Sequence, residues 1–414
     1  QLLREHDYSI LGIDVDYTFL GDFRTLYEKL FGNNKYPWKP LESYFDLGIM
    51  REIRKAHRQY KRFYRSFKKN EQFQRSFFYK GIPIWKVLTA RLDFLFLFSF
   101  KNAIRNLRLM DRMIAIEKPL VIATSFETGS AGRAATMTAR AYGIPTVGLQ
   151  HGKIHPAHPH YIFSHVSTTQ APNLKYCPIP DVTMVYGDYT KRVLINCSSY
   201  PSENVIVTGQ PLADNIVRAR EIFDKYKTYE KFGLDLKKKL LVLISQNFQE
   251  VEFRERMLNV TIEGMKPFNE LQLFVKLHPG ETADLALRVL RNFGLNGVPV
   301  TKNVDLYEIL YACDIMVTGN STVALEAMML DKPVITIEGF PFSMPFAQQG
   351  ASLGVMTVAE MTQAIKSILN GGDVAQKLKI NRKKFVREHA CEPDGQAAKR
   401  VADAIIRIAR RKRK

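Results

Sequence analysis

Short apolar, β-branched runs alternate with amphipathic stretches along the chain after residue 118. This alternation is typical of βαβ units, in which each buried strand is followed by a helix that packs on a parallel sheet. We therefore expect an α/β protein with parallel strands and helices between them. The predicted strands cover residues 120–124, 146–149, 182–186, 205–208, 240–245, 272–276, 298–301, 315–318 and 334–337.

The N-terminal region has a different pattern. One strand is predicted over 8–15, and a helical, basic and aromatic region over about 20–118. Within it, nearly every non-aromatic position of 51–69 is Lys or Arg, and aromatic residues recur at helical spacing. Two interpretations stay open: a solvated helix that packs its aromatic stripe inward, or a surface for anionic lipid or a charged acceptor. The aromatic residues are Tyr60, Phe63, Tyr64 and Phe67.

Length and charge bound the class of protein. A chain of 414 residues exceeds what one hydrophobic core usually organises, so we expect two domains. The polar stretch 223–239 separates two series of strands and places the boundary near Leu234, between domains 1–234 and 235–414. The net charge of +19, with RRKRK at the C-terminus, favours anionic partners. Nucleic acid is not expected because no recognised binding motif accompanies the charge.

Apolar runs and cysteines indicate the compartment. The longest apolar run, 92–100, is interrupted by Asp93 and is far shorter than the roughly 20 residues of a membrane-spanning helix. The four cysteines are far apart and form neither a zinc motif nor a disulfide framework. We expect a cytoplasmic protein with peripheral contact at the inner face of the membrane. Because the chain starts at Gln1 without Met, we expect a piece of a longer protein.

The first motif, Gly148 to Gly152, places His151 at the end of a predicted strand. Ligands collect at the carboxyl ends of strands in open α/β sheets, so His151 is a candidate site residue, although a structural histidine remains an alternative. Four more histidines follow, but their spacing matches no zinc motif and we expect no metal. They are His155, His158, His160 and His165.

The second motif runs from Lys276 through His278 and Pro279 to Glu281, again at a strand end. The proline fixes the backbone after the histidine, and the helix predicted to begin near residue 282 presents free N–H groups suited to phosphate. An imidazole here can hydrogen-bond a diphosphate and stabilise charge on a leaving nucleotide. A simple turn is the alternative.

The third motif, 318–327, lies at a further strand-to-helix junction. Gly319 permits a tight turn, and Ser321 and Thr322 offer hydroxyls and amides to an anion, although helix capping alone would explain them. Glu326 lies one helical turn after Thr322, where its carboxylate can accept hydrogen bonds from ribose hydroxyls. The chain has no GxGxxG fingerprint and no P-loop, which argues against dinucleotide-dependent and P-loop chemistry.

Taken in order, the motifs resemble the GT-B families of CDP-glycerol glycerophosphotransferases, surface-polysaccharide transferases and UDP-N-acetylglucosamine 2-epimerases. The resemblance covers about 119–400 and implies two Rossmann-like domains facing a cleft, with a last helix, about 396–411, that returns to the first domain. The matching segments are LQHG at 149–152, VYGDYTKRVL at 185–194, VTGQPLAD at 207–214, VKLHPGE at 275–281, DIMVTGNSTVALEAMMLDKPVITIE at 314–338 and EPDGQAAKR at 392–400.

The resemblance also implies roles for individual residues. His278, Ser321 and Thr322 would hold the donor phosphates, and Glu326 would bind the ribose. His151 would be the base that activates the acceptor hydroxyl, with Glu127 as a second candidate. The implied donor-binding set is completed by Lys276, Gly280, Gly319, Asn320, Gln246 and Gly187.

We therefore expect a metal-independent glycosyltransferase, without cofactor, that moves a sugar or a polyol phosphate from a CMP-, CDP- or UDP-linked donor to a surface-polysaccharide or lipid-linked acceptor. Two alternatives remain. A 2-epimerase is disfavoured because epimerases carry a double glycine and an acid pair where this chain has residues 320–326. A non-catalytic protein that binds polymer or membrane is the other. Glycerophosphotransferases usually have an Asp-Tyr-Ser-Ser-like segment at 319–322, so the group transferred stays open.

Overall fold

A computed structural model describes residues 2–15, 37–158, 160–162, 179–198, 200–248, 250–319, 321–339 and 345–413. Its N-terminal part is mainly helical, but it also contains small strands that the helical prediction omitted. Pro40 favours extended backbone before it, which fits the strand at 38–40. The strands are β1 (Gly12–Asp14), parallel to β2 (Trp38–Pro40), and the hairpin of β3 (Phe78–Tyr79) and β4 (Ile82–Pro83). The helices are α1 (Leu47–Lys69), α2 (Glu71–Arg75), α3 (Trp85–Phe94) and α4 (Phe100–Glu117), with a π-helix at Leu95–Ser99.

The predicted parallel α/β architecture is confirmed by two sheets. The first is a parallel sheet of β5 (Ile122–Thr124), β6 (Thr146–Leu149), β7 (Val182–Val185) and β8 (Val205–Val207), in that spatial order. The helices between its strands are α5 (Ser130–Ala141) and α6 (Asp188–Ser198).

The second sheet is also parallel and has the spatial order β11-β10-β9-β12-β13-β14. Its strands are β9 (Lys239–Ile244), β10 (Leu271–Lys276), β11 (Val300–Thr301), β12 (Ile315–Thr318), β13 (Val334–Ile337) and β14 (Leu353–Val355). The helices from residue 214 onward are α7 (Asp214–Ile222), α8 (Lys225–Lys231), α9 (Val251–Met265), α10 (Asp284–Asn292), α11 (Leu306–Ala312), α12 (Val323–Met329), α13 (Val358–Asn370), α14 (Asp373–Ala390) and α15 (Ala397–Arg413). Short 3-10 helices lie at Arg4–His6, Leu41–Tyr44, Ser202–Asn204 and Pro211–Ala213.

Strand β9 shows why the strands of the second sheet are continuous apolar runs in the sequence. Leu240 and Val242 belong to the core on one face, while Leu241 and Leu243 belong to the core on the other. A parallel sheet covered by helices on both faces buries successive side chains of each central strand. The apolar run therefore follows from the two-sided burial.

The polar stretch 223–239, where the domain boundary is predicted, contains α8, which packs into the core of the second sheet. Tyr229 is buried there, and the Lys225 ammonium lies 2.8 Å from a carboxylate oxygen of Asp314. Because polar residues on the outer face of this helix outnumber its buried ones, the sequence alone resembles a boundary between domains. The domain boundary near Leu234 remains a prediction.

The last helix, α15, crosses back to the first sheet, as the resemblance implied. Its Val401 and Ala404 pack with Val147 and Met184 of β6 and β7. Asp394 accepts a hydrogen bond of 3.0 Å from the Gln396 amide just before the helix. The Asp214 carboxylate accepts hydrogen bonds from the amides of residues 397 and 398, at 2.9 and 2.7 Å. A side chain from a distant part of the chain thus satisfies the free N–H groups of the helix.

Among the described residues, no helix is both long and apolar enough to cross a membrane. In that same part of the chain, Cys197, Cys313 and Cys391 are free thiols. Cys177 and His165 lie outside the described residues.

Candidate active site

The carboxyl ends of strands from both sheets meet at one cleft. The first sheet supplies residues 150–154, which follow β6, together with Tyr186 and Gln210. The second sheet supplies Thr322 and Leu325, which follow β12. Ligands bind at such strand ends in α/β proteins. The structure therefore brings the first and third predicted motifs to one site, between the two sheets.

The turn that carries His151 is held by the preceding glutamine. The Gln150 side chain accepts a hydrogen bond from the Tyr186 amide and donates one to the Gly152 carbonyl, both at 2.8 Å. The His151 ring lies edge-on to Phe126, with 5.1 Å between ring centroids. Burial lowers the pKa of His151 below its usual range. The imidazole is therefore neutral at neutral pH, the form that a general base requires.

Glu127 is the other candidate base, and its side chain is only 2% exposed. In the described part of the chain neither carboxylate oxygen has a well-formed hydrogen bond, although the Tyr161 hydroxyl faces it. Burial raises the pKa of Glu127. A Cβ on Gly148 would lie 3.2 Å from the Glu127 carboxylate, so glycine leaves the space that this carboxylate occupies. Glu127 thus lies behind the His151 turn as a buried acid.

The His-Pro loop after β10 presents His278 to solvent in a defined tautomer. The Gly280 amide donates a hydrogen bond of 3.1 Å to His278 Nδ1. A ring nitrogen that accepts leaves the other nitrogen, Nε2, to carry the hydrogen. Nε2–H is then a donor that a phosphate oxygen can accept.

Glu281 anchors this loop, a role that the sequence did not reveal. Its buried carboxylate accepts hydrogen bonds of 2.9 Å from the Ser245 hydroxyl and from the His278 amide. The Arg254 guanidinium lies 3.8 Å away. Glu281 therefore joins the ends of β9 and β10 and fixes the backbone that carries His278.

Three other predicted donor-binding residues lie near this loop with different surroundings. The buried Lys276 ammonium donates to the carbonyls of Leu277 and Lys302, at 3.0 and 3.3 Å, so it braces backbone. A Cβ on Gly280 would lie 2.8 Å from Nδ2 of the Asn247 side chain, so a side chain at this position would crowd Asn247. The Gln246 carbonyl accepts a hydrogen bond from the Phe248 amide. Their roles toward a donor remain predictions.

The third motif forms the opposite wall of the cleft. The Ser321 hydroxyl accepts a hydrogen bond of 3.2 Å from the Val323 amide, the first amide of α12, and keeps its own hydrogen for another acceptor. Thr322 is exposed and lines the cleft. Gly319 directly follows β12, and Asn320 lies outside the described residues.

Glu326 lies where the two halves meet. Burial raises the pKa of its carboxyl to about 7, and a hydrogen bond from Gln210 of the first half opposes that effect. Its charge in turn acts on Tyr186, whose pKa is raised to about 12, mainly by burial. One carboxylate oxygen, Oε2, is buried without a partner among the described residues. It is an acceptor available to a ligand hydroxyl.

Helix α14 adds a cleft residue that no sequence signal identified. His389 at the end of α14 lines the cleft and is 5% exposed. Its ring stacks on Phe385 at 3.8 Å, and burial, with the nearby Arg192 charge, lowers its pKa to about 4. A Cβ on Gly187 would lie 2.3 Å from the Glu388 carbonyl oxygen. Gly187 therefore allows the end of α14 to approach the first domain closely.

Comparison with known proteins identifies the family. A profile described as CDP-Glycerol:Poly(glycerophosphate) glycerophosphotransferase matches residues 164–407, more than half of the chain. The chain belongs to this family. Within the matched span lie His278, Ser321, Thr322 and Glu326, whereas His151 precedes it. This family is among those that the motifs resemble, so that expectation is confirmed.

Two relatives match this chain over only part of their own length. The teichoic acid glycerol-phosphate primase of Bacillus subtilis (strain 168) is 27% identical over 129 residues, 31% of either chain. The processive diacylglycerol beta-glucosyltransferase of Bacillus licheniformis is 25% identical over 230 residues, 51% of this chain and 55% of that protein. The chain thus spans about a third to a half of the length of these relatives.

Solved structures show the fold. The UDP-GlcNAc 2-epimerase from Methanocaldococcus jannaschii aligns with a TM-score of 0.54 at 12% identity, over 98% of this chain and 95% of that one. The epimerase from Neisseria meningitidis, solved with UDP-GlcNAc, has a TM-score of 0.51 at 13% identity, over 74% and 81%. The predicted GT-B-type arrangement of two Rossmann-like domains is confirmed.

Proposed function

We propose that this chain transfers a glycerol phosphate or a sugar from a CMP-, CDP- or UDP-linked donor to a wall-polymer or lipid-linked acceptor. The family match over 164–407 supports transfer, and the cleft between the strand ends supports a nucleotide donor. The single observation that carries the proposal is that candidate groups for both substrates line one cleft. His151 comes from the first sheet and Thr322 from the second.

The proposed transfer of glycerol phosphate from CDP-glycerol proceeds as follows. The acceptor oxygen forms a bond to the β-phosphorus while the bond from that phosphorus to the bridging oxygen breaks. CMP leaves with the electron pair, and His151 takes the acceptor proton. His278 Nε2–H and the hydroxyls of Ser321 and Thr322 stabilise charge on the departing phosphate. With a sugar donor, the acceptor attacks the anomeric carbon instead.

We expect nucleotide release only when donor and acceptor are both present. The purified protein is incubated, with EDTA, with CDP-glycerol, a CMP-sugar or UDP-N-acetylglucosamine, with and without a lipid-linked glycerol phosphate primer. Cytidine nucleotides should also raise the melting temperature, since a ligand at 100 times its Kd stabilises by about 2.7 kcal/mol. Interconversion of UDP-N-acetylglucosamine without primer would show an epimerase. No release and no thermal shift with any nucleotide would favour a non-catalytic binding protein.

We also propose that the N-terminal helices contact an anionic membrane. In α1, Tyr64 packs inward on Phe96, with ring centroids 4.2 Å apart, whereas Phe63 is exposed. The apolar side chains left exposed extend beyond this helix, and Lys80, Lys86 and Arg91 lie among them in sequence. An apolar surface with basic neighbours suits the headgroup region of an anionic bilayer. The exposed apolar residues include Phe63, Phe78, Tyr79, Ile82, Val87, Phe94 and Phe98.

The test uses vesicles and the variant Ile82→Ser/Val87→Ser, whose side chains are 64% and 80% exposed. We expect the double change to weaken binding to phosphatidylglycerol vesicles about tenfold or more, because each side chain would lose its burial in lipid. Binding should also weaken with salt. Leu236→Ser is the matched control, since Leu236 is 61% exposed but belongs to the other half of the chain. Equal binding by all three proteins would contradict the proposal.

A further inference from the structure

Three His-Pro units in this chain share one hydrogen bond. The amide of the residue after the proline donates to Nδ1 of the histidine, from Ala157 to His155 and from His160 to His158, both at 3.3 Å. The Gly280 amide makes the same bond to His278. Because proline has no N–H, the first amide available after each histidine is the second residue on.

This shared bond gives the three imidazoles the same chemistry. Nδ1 is occupied as an acceptor, so Nε2 carries the hydrogen and can donate to an anion. Burial, followed by the charge of Lys153, lowers the pKa of His155. The pKa of His158 is lowered by burial and then by its histidine neighbours. Both rings are therefore neutral hydrogen-bond donors at neutral pH.

The two N-terminal units lie together in the loop that follows His151. The ring centroids of His155 and His158 are 5.4 Å apart. Rings at this distance are close enough for their two Nε2–H groups to bond different oxygens of one phosphate, each at about 2.8 Å. His151 is close enough for its charge to act on His158. Lys153 lines the cleft beside His151 and adds positive charge to this wall.

We propose that His155 and His158 form a subsite for a phosphate group of the acceptor, beside the base His151. This inference rests on the proposed transferase function and deepens it, because it places the acceptor phosphate on the first sheet. The acceptor then spans the turn at 151–158, with its phosphate at the histidine pair and its hydroxyl at His151. The phosphate could belong to a polymer phosphodiester or to a lipid-linked diphosphate, since the recognising chemistry is the same.

Binding is measured without turnover, by the imidazole nitrogen resonances of protein labelled with ¹⁵N-histidine. Glycerol 3-phosphate and inorganic phosphate should shift the Nε2 resonances of His155 and His158, whereas glycerol should not. His160→Ala is the matched control, because it removes a neighbouring imidazole but keeps the backbone amide of residue 160, which donates to His158 Nδ1. No shift at millimolar phosphate would overturn the subsite, and so would a response to zinc alone.

Kinetics then connect the subsite to the acceptor. His155→Ala and His158→Ala should each raise the acceptor KM about tenfold, while the donor KM stays within about twofold. An equal rise in both KM values would overturn the proposal. A rise with a lipid-linked diphosphate but not with a soluble glycerol phosphate oligomer identifies the lipid as the source of the phosphate; a rise with both identifies the polymer. Phosphate binding without any transfer would support the subsite and contradict the transferase function.

Discussion

Replacing His278 with Ala is expected to lower kcat about a hundredfold to a thousandfold. In the proposed reaction, Nε2–H meets charge that develops on the leaving nucleotide, and removing one such donor has an effect of this size. The change also removes the bond of 3.1 Å from the Gly280 amide to Nδ1. Steady-state kinetics with saturating donor, together with a melting curve, measure the two consequences separately.

His278→Asn separates the chemistry from the turn. An asparagine oxygen can accept the amide of the second residue on, so the loop keeps its local bond. The side chain is too short to place a donor where Nε2–H lies. We expect the Asn variant to melt like the unchanged protein and to remain as inactive as the Ala variant. Recovery of activity in the Asn variant would show that the histidine only holds the turn.

The strands could be predicted where burial gives each one a clear apolar pattern. Residues 146–149, 315–318 and 334–337 were predicted with the bounds that the structure has. Strand β14, Leu353–Val355, was missed because it is three residues long and has Gly354 at its centre. Gly354 is required by packing in the folded protein, because a Cβ at this position would lie 2.8 Å from the Cβ of Ala347. A pattern along the chain cannot contain such a constraint.

The positions of the candidate residues divide in the same way. The placement of His151 and His278 in strand-end turns could be predicted, because such turns are local in sequence. Glu281 and His389 could not, because their positions depend on partners brought together by the fold, such as Ser245 and Phe385. Lys276 is a different case. Its place in the motif predicts contact with the donor, and that role stays a prediction. Its bonds to backbone carbonyls could not be predicted, because sequence gives no direction for a long side chain.

Glu326 couples proton binding to stability. Its pKa in the folded protein is about 7, against an ordinary value of 4.5, because burial penalises the ionised carboxylate. The folded state therefore binds the proton more tightly than the unfolded chain. The resulting stabilisation is fully present below pH 4.5 and is lost as the pH rises through about 7. The difference between the two pKa values corresponds to about 3 kcal/mol.

Glu326→Gln should remove this dependence, because an amide does not ionise. The difference in free energy of unfolding between the variant and the unchanged protein should therefore grow, in favour of the variant, from pH 5 to pH 8. Urea unfolding at several pH values measures it, and the exposed Glu230→Gln is the control. Parallel pH profiles for all three proteins would contradict the prediction. If the ionised carboxylate accepts the ribose hydroxyls of the donor, the donor KM should also fall from pH 6 to pH 8, since binding must release the proton that the buried carboxyl holds.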